Sequence, residues 1–446
     1  MKVITQKTIY TIILILLLGG SSYSQETWTL EKCIDYALEK NINIKRQEIA
    51  AEQAKNNHQQ SKLEMLPSVS GSASHSFRSG KTFSFDILDY VNQEYQYGQI
   101  TLNGQLTLFD GLKTHHTLKK NEYDMRSQLS GVDETKYDVT INIVTYFLNV
   151  LSHIEQERIK KEQLEVTLDQ IKQTKQKVEV GNKSKGDLLE IKAQASRERV
   201  KLTQAKNNLK MAYLNLKQLM NLDTNETFQI QTPEDISIEP ANAVQSTNSI
   251  YNESMKTFPD IENAEYQLKS AEKNLQIMKS QRLPKLRLGA NYGTYYDELR
   301  KKQFHLAYDK QISENISFIA TMQLNIPIFN KRRIHNQISN AKLDVIDSRY
   351  QLDKYKQNLY KDIEKARNEV ISAYEEYQSN LEALESMEEA FNYSQQKYES
   401  GLVDIVDYRL AKNNYNKAKS DTVKSKYFCL FKMKILEYYL GQQMEL

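Results

Sequence analysis

Val178-Glu179-Val180-Gly181-Asn182-Lys183-Ser184-Lys185-Gly186-Asp187-Leu188-Leu189 decides the fold, because the chain writes this stretch twice. The second copy is Tyr398-Glu399-Ser400-Gly401-Leu402-Val403-Asp404-Ile405-Val406-Asp407-Tyr408-Arg409. Gly181 and Gly401 lie 220 residues apart, and so do Asp187 and Asp407. In each copy a glycine ends a very long helical pattern and a shorter one follows, so each copy is expected to be the tip of a helical hairpin. One such motif carries little. Two at one offset, with the flanking segments aligned around them, mark an internal repeat.

Upstream of the tips, 111–180 and 332–400 are free of proline. They read as two helices of about seventy residues, roughly 105 Å each at 1.5 Å per residue. All six prolines fall outside these segments, as expected when one inside a helix costs about 3 kcal/mol. Downstream, 184–220 and 405–440 read as shorter helices with coiled-coil stripes. The first stripe runs through Leu188, Ile191, Ala195, Leu202, Leu209 and Leu216, with one polar seam position, Glu198. Cys429 takes the place of Leu209 in the second stripe. Cys33 and Cys429 are the two cysteines, each inside a helical pattern, and read either as buried small side chains or as a disulfide.

Before each long helix the period changes. Leu66-Pro67 and Leu283-Pro284 end shorter helical runs, 42–65 and 260–282, and strands are expected at 66–77, 99–109, 285–296 and 316–328. Ile100, Leu102, Gly104, Leu106 and Leu108 alternate with Gln99, Thr101, Asn103, Gln105 and Thr107; Phe318, Ala320, Met322 and Leu324 alternate with Ser317, Thr321, Gln323 and Asn325. Such strands are apolar on one side and wet on the other. Polar loops are expected at 78–94 and 298–315.

At the N-terminus, Lys2 and Lys7, an apolar run from Ile9 to Leu18 and a small-residue stretch predict a signal peptide over 1–24. The first repeat then covers 25–222, including a short helix at 29–40. An irregular linker spans 223–249, with Pro233 and Pro240, and the second repeat spans 250–446. The 60 basic and 57 acidic residues are evenly mixed, which leaves no basic face for nucleic acid. No phosphate-cradling glycine loop or Gly-x-Ser-x-Gly element is present. His115-His116 lacks acidic or cysteine partners at zinc spacing. No cofactor, metal site or enzymatic activity is expected.

Four two-faced strands in an exported chain pose a physical problem. An open sheet cannot sit in lipid, where each unpaired edge group costs several kcal/mol, and four strands cannot close a barrel, which needs eight or more. Several chains must share one barrel, or the sheet must pack on a helix in a soluble protein. The Leu-Pro junctions, paired strands, long helices and Gly-x-x-x-x-x-Asp tips, present in both halves, resemble the TolC-like outer-membrane efflux factors over essentially the whole mature chain. The resemblance implies a mainly α fold with a small β part. Three chains would form a twelve-strand outer-membrane barrel above a helical periplasmic tunnel, acting as a passive duct with a periplasmic adaptor and an inner-membrane pump.

It further implies that Leu102, Leu106, Phe318 and Leu324 face lipid. Gly181, Lys183, Ser184, Gly401, Leu402 and Asp404 would form adaptor-docking tips. At the aperture, Asp407 matches the family's first ring aspartate, Tyr398 a tether tyrosine and Asp187 its carboxylate acceptor. The second ring aspartate falls on Leu410 and the tether arginine on Val403. Asp187 and Asp407 also have a plainer reading, as acids favoured at helix N-termini. The rival readings of the whole chain are an extended coiled-coil surface adhesin and a soluble periplasmic scaffold.

Overall fold

The structure, a computed structural model, describes residues 27–84, 88–223, 228–232, 238, 245–299 and 307–441. The expected signal peptide lies outside them, as do the centres of both polar loops and much of the 223–249 linker. The elements, in chain order, are α1 (Leu30–Lys40), α2 (Ile42–Leu63), β1 (Ser68–Ser84), β2 (Asp89–Phe109), α3 (Lys113–Glu179), α4 (Lys185–Met220), α5 (Thr247–Thr257), α6 (Pro259–Ser280), β3 (Lys285–Leu299), α7 (Tyr308–Glu314), β4 (Ser317–Asn325), α8 (Arg333–Glu399) and α9 (Ile405–Tyr439). The two long helices, α3 and α8, have 67 residues each. The chain forms two compact units.

The helical unit comprises residues up to Lys45, Glu134–Phe258 and Asn358 onward. Its core gathers Leu30, Cys33 and Ala37 of α1, Ile143, Phe147 and Leu151 of α3, Leu216 and Met220 of α4, and Leu430 of α9. The end of α4 is tied to the start of α2: Asn41 Nδ2 donates to the Leu219 carbonyl at 2.8 Å, and Ile42 N–H donates to Asn221 Oδ1 at 3.3 Å. Asn221 ends α4 at φ +58°, a left-handed position asparagine tolerates. Both cysteines are free and buried. Burial pushes the Cys33 thiol up to about 12 and the Cys429 thiol up to about 11, so both act as packing groups and the disulfide reading falls.

The described part of the linker carries small structure of its own. Phe228 and Ile230 are buried in this core, and Ile230 bridges to Trp28, whose N–H and C=O bond to Gln229 and Gln231 at 2.9 Å. The helix α5 then starts inside the segment, at Thr247, capped by Ser246.

The sheet unit comprises Arg46–Asp133 and Pro259–Gln357. Small residues let its helices approach. Ser127 Oγ donates to Asn263 Oδ1 at 2.6 Å, Ser130 Oγ to Glu262 Oε2 at 3.1 Å, and a Cβ on Gly131 would stand 2.8 Å from Gln47. Its four strands form one antiparallel sheet in the order β1-β2-β3-β4. The strands extend beyond the sequence expectation at one end: β1 runs to Ser84 and β2 starts at Asp89, so most of the 78–94 loop is hairpin. Likewise α7 sits within the 298–315 loop. At the other end β4 is shorter, stopping at Asn325 ahead of Ile326-Pro327, because proline cannot donate to a ladder.

Candidate functional site

The register of the sheet sorts its side chains into rows. Leu102 pairs with Tyr292, which pairs with Phe318; Leu106 lines up with Leu288 and Met322; Phe109 lines up with Leu286 and Leu324. A bulge between Thr107 and Phe109 moves Phe109 into the row expected to hold Leu108. Leu102, Leu106, Phe318 and Leu324 therefore share one face. Most of it is bare: Phe318 is 68% exposed and Leu324 59%. The opposite face is a polar ladder. Ser72 and Thr101 hydroxyls share a hydrogen bond of 2.7 Å, Asn291 Nδ2 donates to Asn103 Oδ1 at 2.6 Å, and Asn103 Nδ2 donates to Thr101 Oγ1 at 3.3 Å. At one end, aromatic rings gather around Gly98. Tyr296 lies across its Cα, leaving no room for a Cβ, and packs edge-on against Tyr308 at 4.8 Å.

The tips, within the helical unit, have nearly superimposable backbone chemistry. Gly181 at φ +80° and Gly401 at φ +75° adopt the left-handed conformation that ends α3 and α8. In each, the glycine N–H bonds back at 3.1 Å, to the Val178 or Tyr398 carbonyl. The next N–H reaches the Lys177 carbonyl at 2.7 Å or the Lys397 carbonyl at 2.8 Å. The following helix is capped by Ser184, whose Oγ accepts from Asp187 N–H at 3.0 Å, or by Asp404, whose Oδ1 accepts from Val406 and Asp407 N–H at 2.8 and 2.9 Å. Asp187 and Asp407 occupy the first helical turn, where the helix dipole favours an acid. Asp407 is exposed and Asp187 half-buried.

Side chains join one tip to the other. The Tyr398 ring stacks on Tyr408 at 4.9 Å, and Lys183 Nζ stands 4.1 Å over the Tyr398 ring. Arg409 Nη1 pairs with Glu190 Oε2 at 2.9 Å. Ile191, Ile405 and Tyr408 form a small apolar cluster beneath, with Ile171, Phe391 and Tyr398. The Tyr398 hydroxyl is buried without a hydrogen-bond partner among the described residues, so the expected bond to Asp187 is not made within the chain. Burial, then the charges of Asp187 and Glu190, hold its phenol above the ordinary tyrosine range. The basic group absent at Val403 is present at the equivalent position of the other tip, as Lys183, over the same tyrosine. Val403 is half-buried, while Leu402, Val406 and Leu410 are exposed.

Sequence reasoning missed the polar layer above the tips. Lys412, 5% exposed, donates to Thr167 Oγ1 at 2.8 Å and Gln170 Oε1 at 3.3 Å, and Gln170 Nε2 donates to the Tyr408 hydroxyl. Glu198 accepts from Gln194 Nε2 at 2.8 Å, and its other oxygen has no partner among the described residues. Burial lowers the Lys412 ammonium, and Glu198 opposes that shift. The polar seam position at Glu198 was the signal for this layer.

Among the described residues no helix is long and apolar enough to cross a membrane, and no group of His, Cys, Asp or Glu is placed to hold a metal ion. The family described as outer membrane efflux protein matches residues 33–222 and 250–441. The pyoverdine export outer membrane protein OpmQ of Pseudomonas putida is 26% identical over 157 residues, 33% of this chain and 30% of that protein. Among solved structures, the CmeC outer membrane channel of Campylobacter jejuni has a TM-score of 0.78 at 19% identity, over 95% of this chain and 91% of that one. CusC gives 0.79 at 16%, over 95% and 96%. The outer membrane protein VceC of Vibrio cholerae gives 0.76 at 15%, over 93% and 97%. At these identities the likeness is one of fold: a mainly helical TolC-like channel with a small sheet.

Proposed function

Because the chain belongs to the outer membrane efflux protein family, a family of channels seated in the outer membrane and reaching into the periplasm, we propose that it is the passive exit duct of a tripartite efflux or type I secretion system. The observation that carries this reading is the sheet. One face is a bare array of apolar rows and the other a polar ladder, and β1 and β4 each have one long edge with no strand partner among the described residues. Lipid tolerates the apolar face but not the edges, so neighbouring chains supply the missing partners. Three chains close a twelve-strand barrel. Leu102, Leu106, Phe318 and Leu324 then meet lipid, and the Ser, Thr, Asn and Gln ladder lines water. The nine residues of β4 suffice for a tilted transmembrane strand.

The tips dock a periplasmic adaptor through Gly181, Lys183, Ser184, Gly401, Leu402 and Asp404, and an inner-membrane pump supplies the energy. Asp407, repeated around the narrow end by symmetry, focuses a cation-attracting field. Leu410 takes the place of a second acidic ring. Asp187, Tyr398 and Val403 complete the aperture. The test is to extract the processed protein from membranes in mild detergent, measure its native mass and record its conductance in planar bilayers. A mass about three times the mature chain with discrete channel steps is expected. A stable, non-conducting monomer would overturn the reading.

A further inference from the structure

The polar face of the sheet is not uniform. Along β3, Asn291, Gly293 and Tyr295 on that face, and their partners Asn103, Thr101, Gln99, Ile319 and Ser317, are uncharged. At the strand's start the ladder becomes basic. Lys285 pairs with Asn325, and Arg287 pairs with Gln323 on one side and Thr107 on the other. Lys285, Arg287, Gln323 and Asn325 line a cavity of about 200 Å³ on this face. No acidic residue contributes to it. Neither cation has an ion-pair or hydrogen-bond partner among the described residues. The next acid of β3 on the same face, Asp297, lies ten residues on, about 33 Å at 3.3 Å per residue. That is several times the screening length of roughly 8 Å at physiological salt. Three further exposed cations, Lys331, Arg332 and Arg333, follow β4 at this end of the sheet.

The repeat says whether the fold needs these charges. Lys285 and Arg287 follow Leu283-Pro284 as Ser68 and Ser70 follow Leu66-Pro67. Ser68 and Ser70 pair with Gln105 and Asn103, which stand 220 residues before Asn325 and Gln323, the partners of Lys285 and Arg287. The same strand pairing is thus built once with two hydroxyls and once with two cations, so pairing does not require the cations. An ammonium, a guanidinium fork and two carboxamides around one cavity form a donor array suited to a phosphate or carboxylate group.

We propose that Lys285 and Arg287, flanked by Gln323 and Asn325, form an anion-binding station on the water-lined face of the barrel, and that the duct's cargo carries several phosphate or carboxylate groups. The inference rests on the channel reading above. In the closed barrel each chain repeats the station at the same level, so a polyvalent anion meets it from several sides while a monovalent one gains little.

The test uses the full processed protein in planar bilayers, with tripolyphosphate added from the barrel side. Wild-type current is expected to be blocked by tripolyphosphate, and less by acetate at equal concentration. The double variant Lys285→Ser and Arg287→Ser, which copies the first-half strand and so keeps its pairing, is expected to raise the half-blocking concentration at least tenfold. It should also shift the reversal potential in a salt gradient towards cations. An unchanged block and reversal potential in that variant overturns the station. Block that disappears when phosphatidylglycerol replaces phosphatidylcholine assigns the cations to lipid headgroups, and also overturns it. A wild-type protein that passes no current in either bilayer defeats the channel reading itself, a separate result.

Discussion

The two halves of this chain share a backbone and differ in what they hang on it. At the tips, Gly181 and Gly401 end their helices with matching hydrogen bonds, yet Lys183, Glu190 and Ser184 of one face Val403, Leu410 and Asp404 of the other. In the sheet, Ser68 and Ser70 of one half stand where the other carries Lys285 and Arg287. Wherever the copies agree, the residue answers to the fold: glycine at a left-handed φ, proline at a junction, an apolar side chain on the bare face. Wherever they disagree over charge, the fold tolerates both versions, and the difference is free to serve conduction or docking.

The largest effect is expected where the two faces of one strand are exchanged. Leu324→Arg and Leu102→Arg should block membrane insertion, since arginine on a lipid face costs about 2–4 kcal/mol at the midplane. Gln323→Arg and Gln105→Arg lie on the polar ladder and should insert and alter conductance instead. Thr101, though on the ladder, is 7% exposed and bonded to Ser72, so arginine there would disrupt packing as well. Membrane fractionation with heat-modifiability of the trimer reads the outcome. Equal damage from both faces would remove the sheet as a membrane wall.

Next in size is the loss of a tip glycine. A Cβ at Gly401 meets nothing within 4 Å, so the cost of Gly401→Ala is conformational and should be about 1 kcal/mol. Gly401→Trp should leave trimers in the membrane and abolish export, measured as drug or cargo accumulation in cells. Normal export from that variant would free the tips of docking.

Period and repetition made most of this architecture legible. Long helices without proline, and strands alternating from Ile100 to Thr107, are one-dimensional signals. The sheet's outward extent was harder to read, because Ser79, Gly80 and Lys81 of β1 look like a loop and become strand only through pairing with Glu94, Gln93 and Asn92. The tip contacts were least legible. Lys183 over Tyr398 and Arg409 with Glu190 join residues more than 200 positions apart, and no local pattern reports such a pairing. The resemblance implied a Tyr398–Asp187 bond between neighbouring hairpins; within this one chain the Tyr398 ring has two contacts, Tyr408 and Lys183, and its hydroxyl has no partner among the described residues.

That difference sharpens a third expectation. Tyr398→Phe removes a hydroxyl that bonds nothing among the described residues, so resting conductance should stay close to wild type. Tyr398→Ala and Lys183→Met remove the stack and the cation over it, worth about 0.5–1 kcal/mol each, and should raise the resting open time several-fold. Arg409→Ala should add less, since its partner is half in solvent and such pairs contribute about 1 kcal/mol or below. Asp407→Ala should reduce divalent-cation block from the periplasmic side without changing open time. If Tyr398→Phe opens the channel as far as Tyr398→Ala, the hydroxyl bonds a neighbouring chain and the latch lies between subunits.

The smallest effect compares two lysines at equivalent places. Lys192 and Lys412 are 220 residues apart, yet Lys192 is exposed and Lys412 is buried. Burial lowers the Lys412 ammonium below its ordinary 10.5, with Glu198 pulling the other way. In the unfolded chain the group keeps its ordinary value, so between the lowered value and 10.5 the unfolded state binds more protons. Stability from this group therefore rises with pH across that window, by at most about 1.4 kcal/mol per pH unit, and is flat above and below it. Tyr408 and Tyr427, held up to about 12 by burial, act in the opposite direction above their ordinary values, so the raw curve mixes both. Subtraction separates them. The difference in thermal midpoint between wild type and Lys412→Met should change with pH only in the window just below 10.5 that the lowered value opens, while the difference for Lys192→Met should stay level. Thr167 Oγ1 still donates to the Gln163 carbonyl and Gln170 Nε2 to Tyr408 after the methionine is introduced, so the variant strands no donor. A level difference curve for Lys412→Met would mean that water reaches this lysine in the assembled protein, and that the two halves are alike at this position after all.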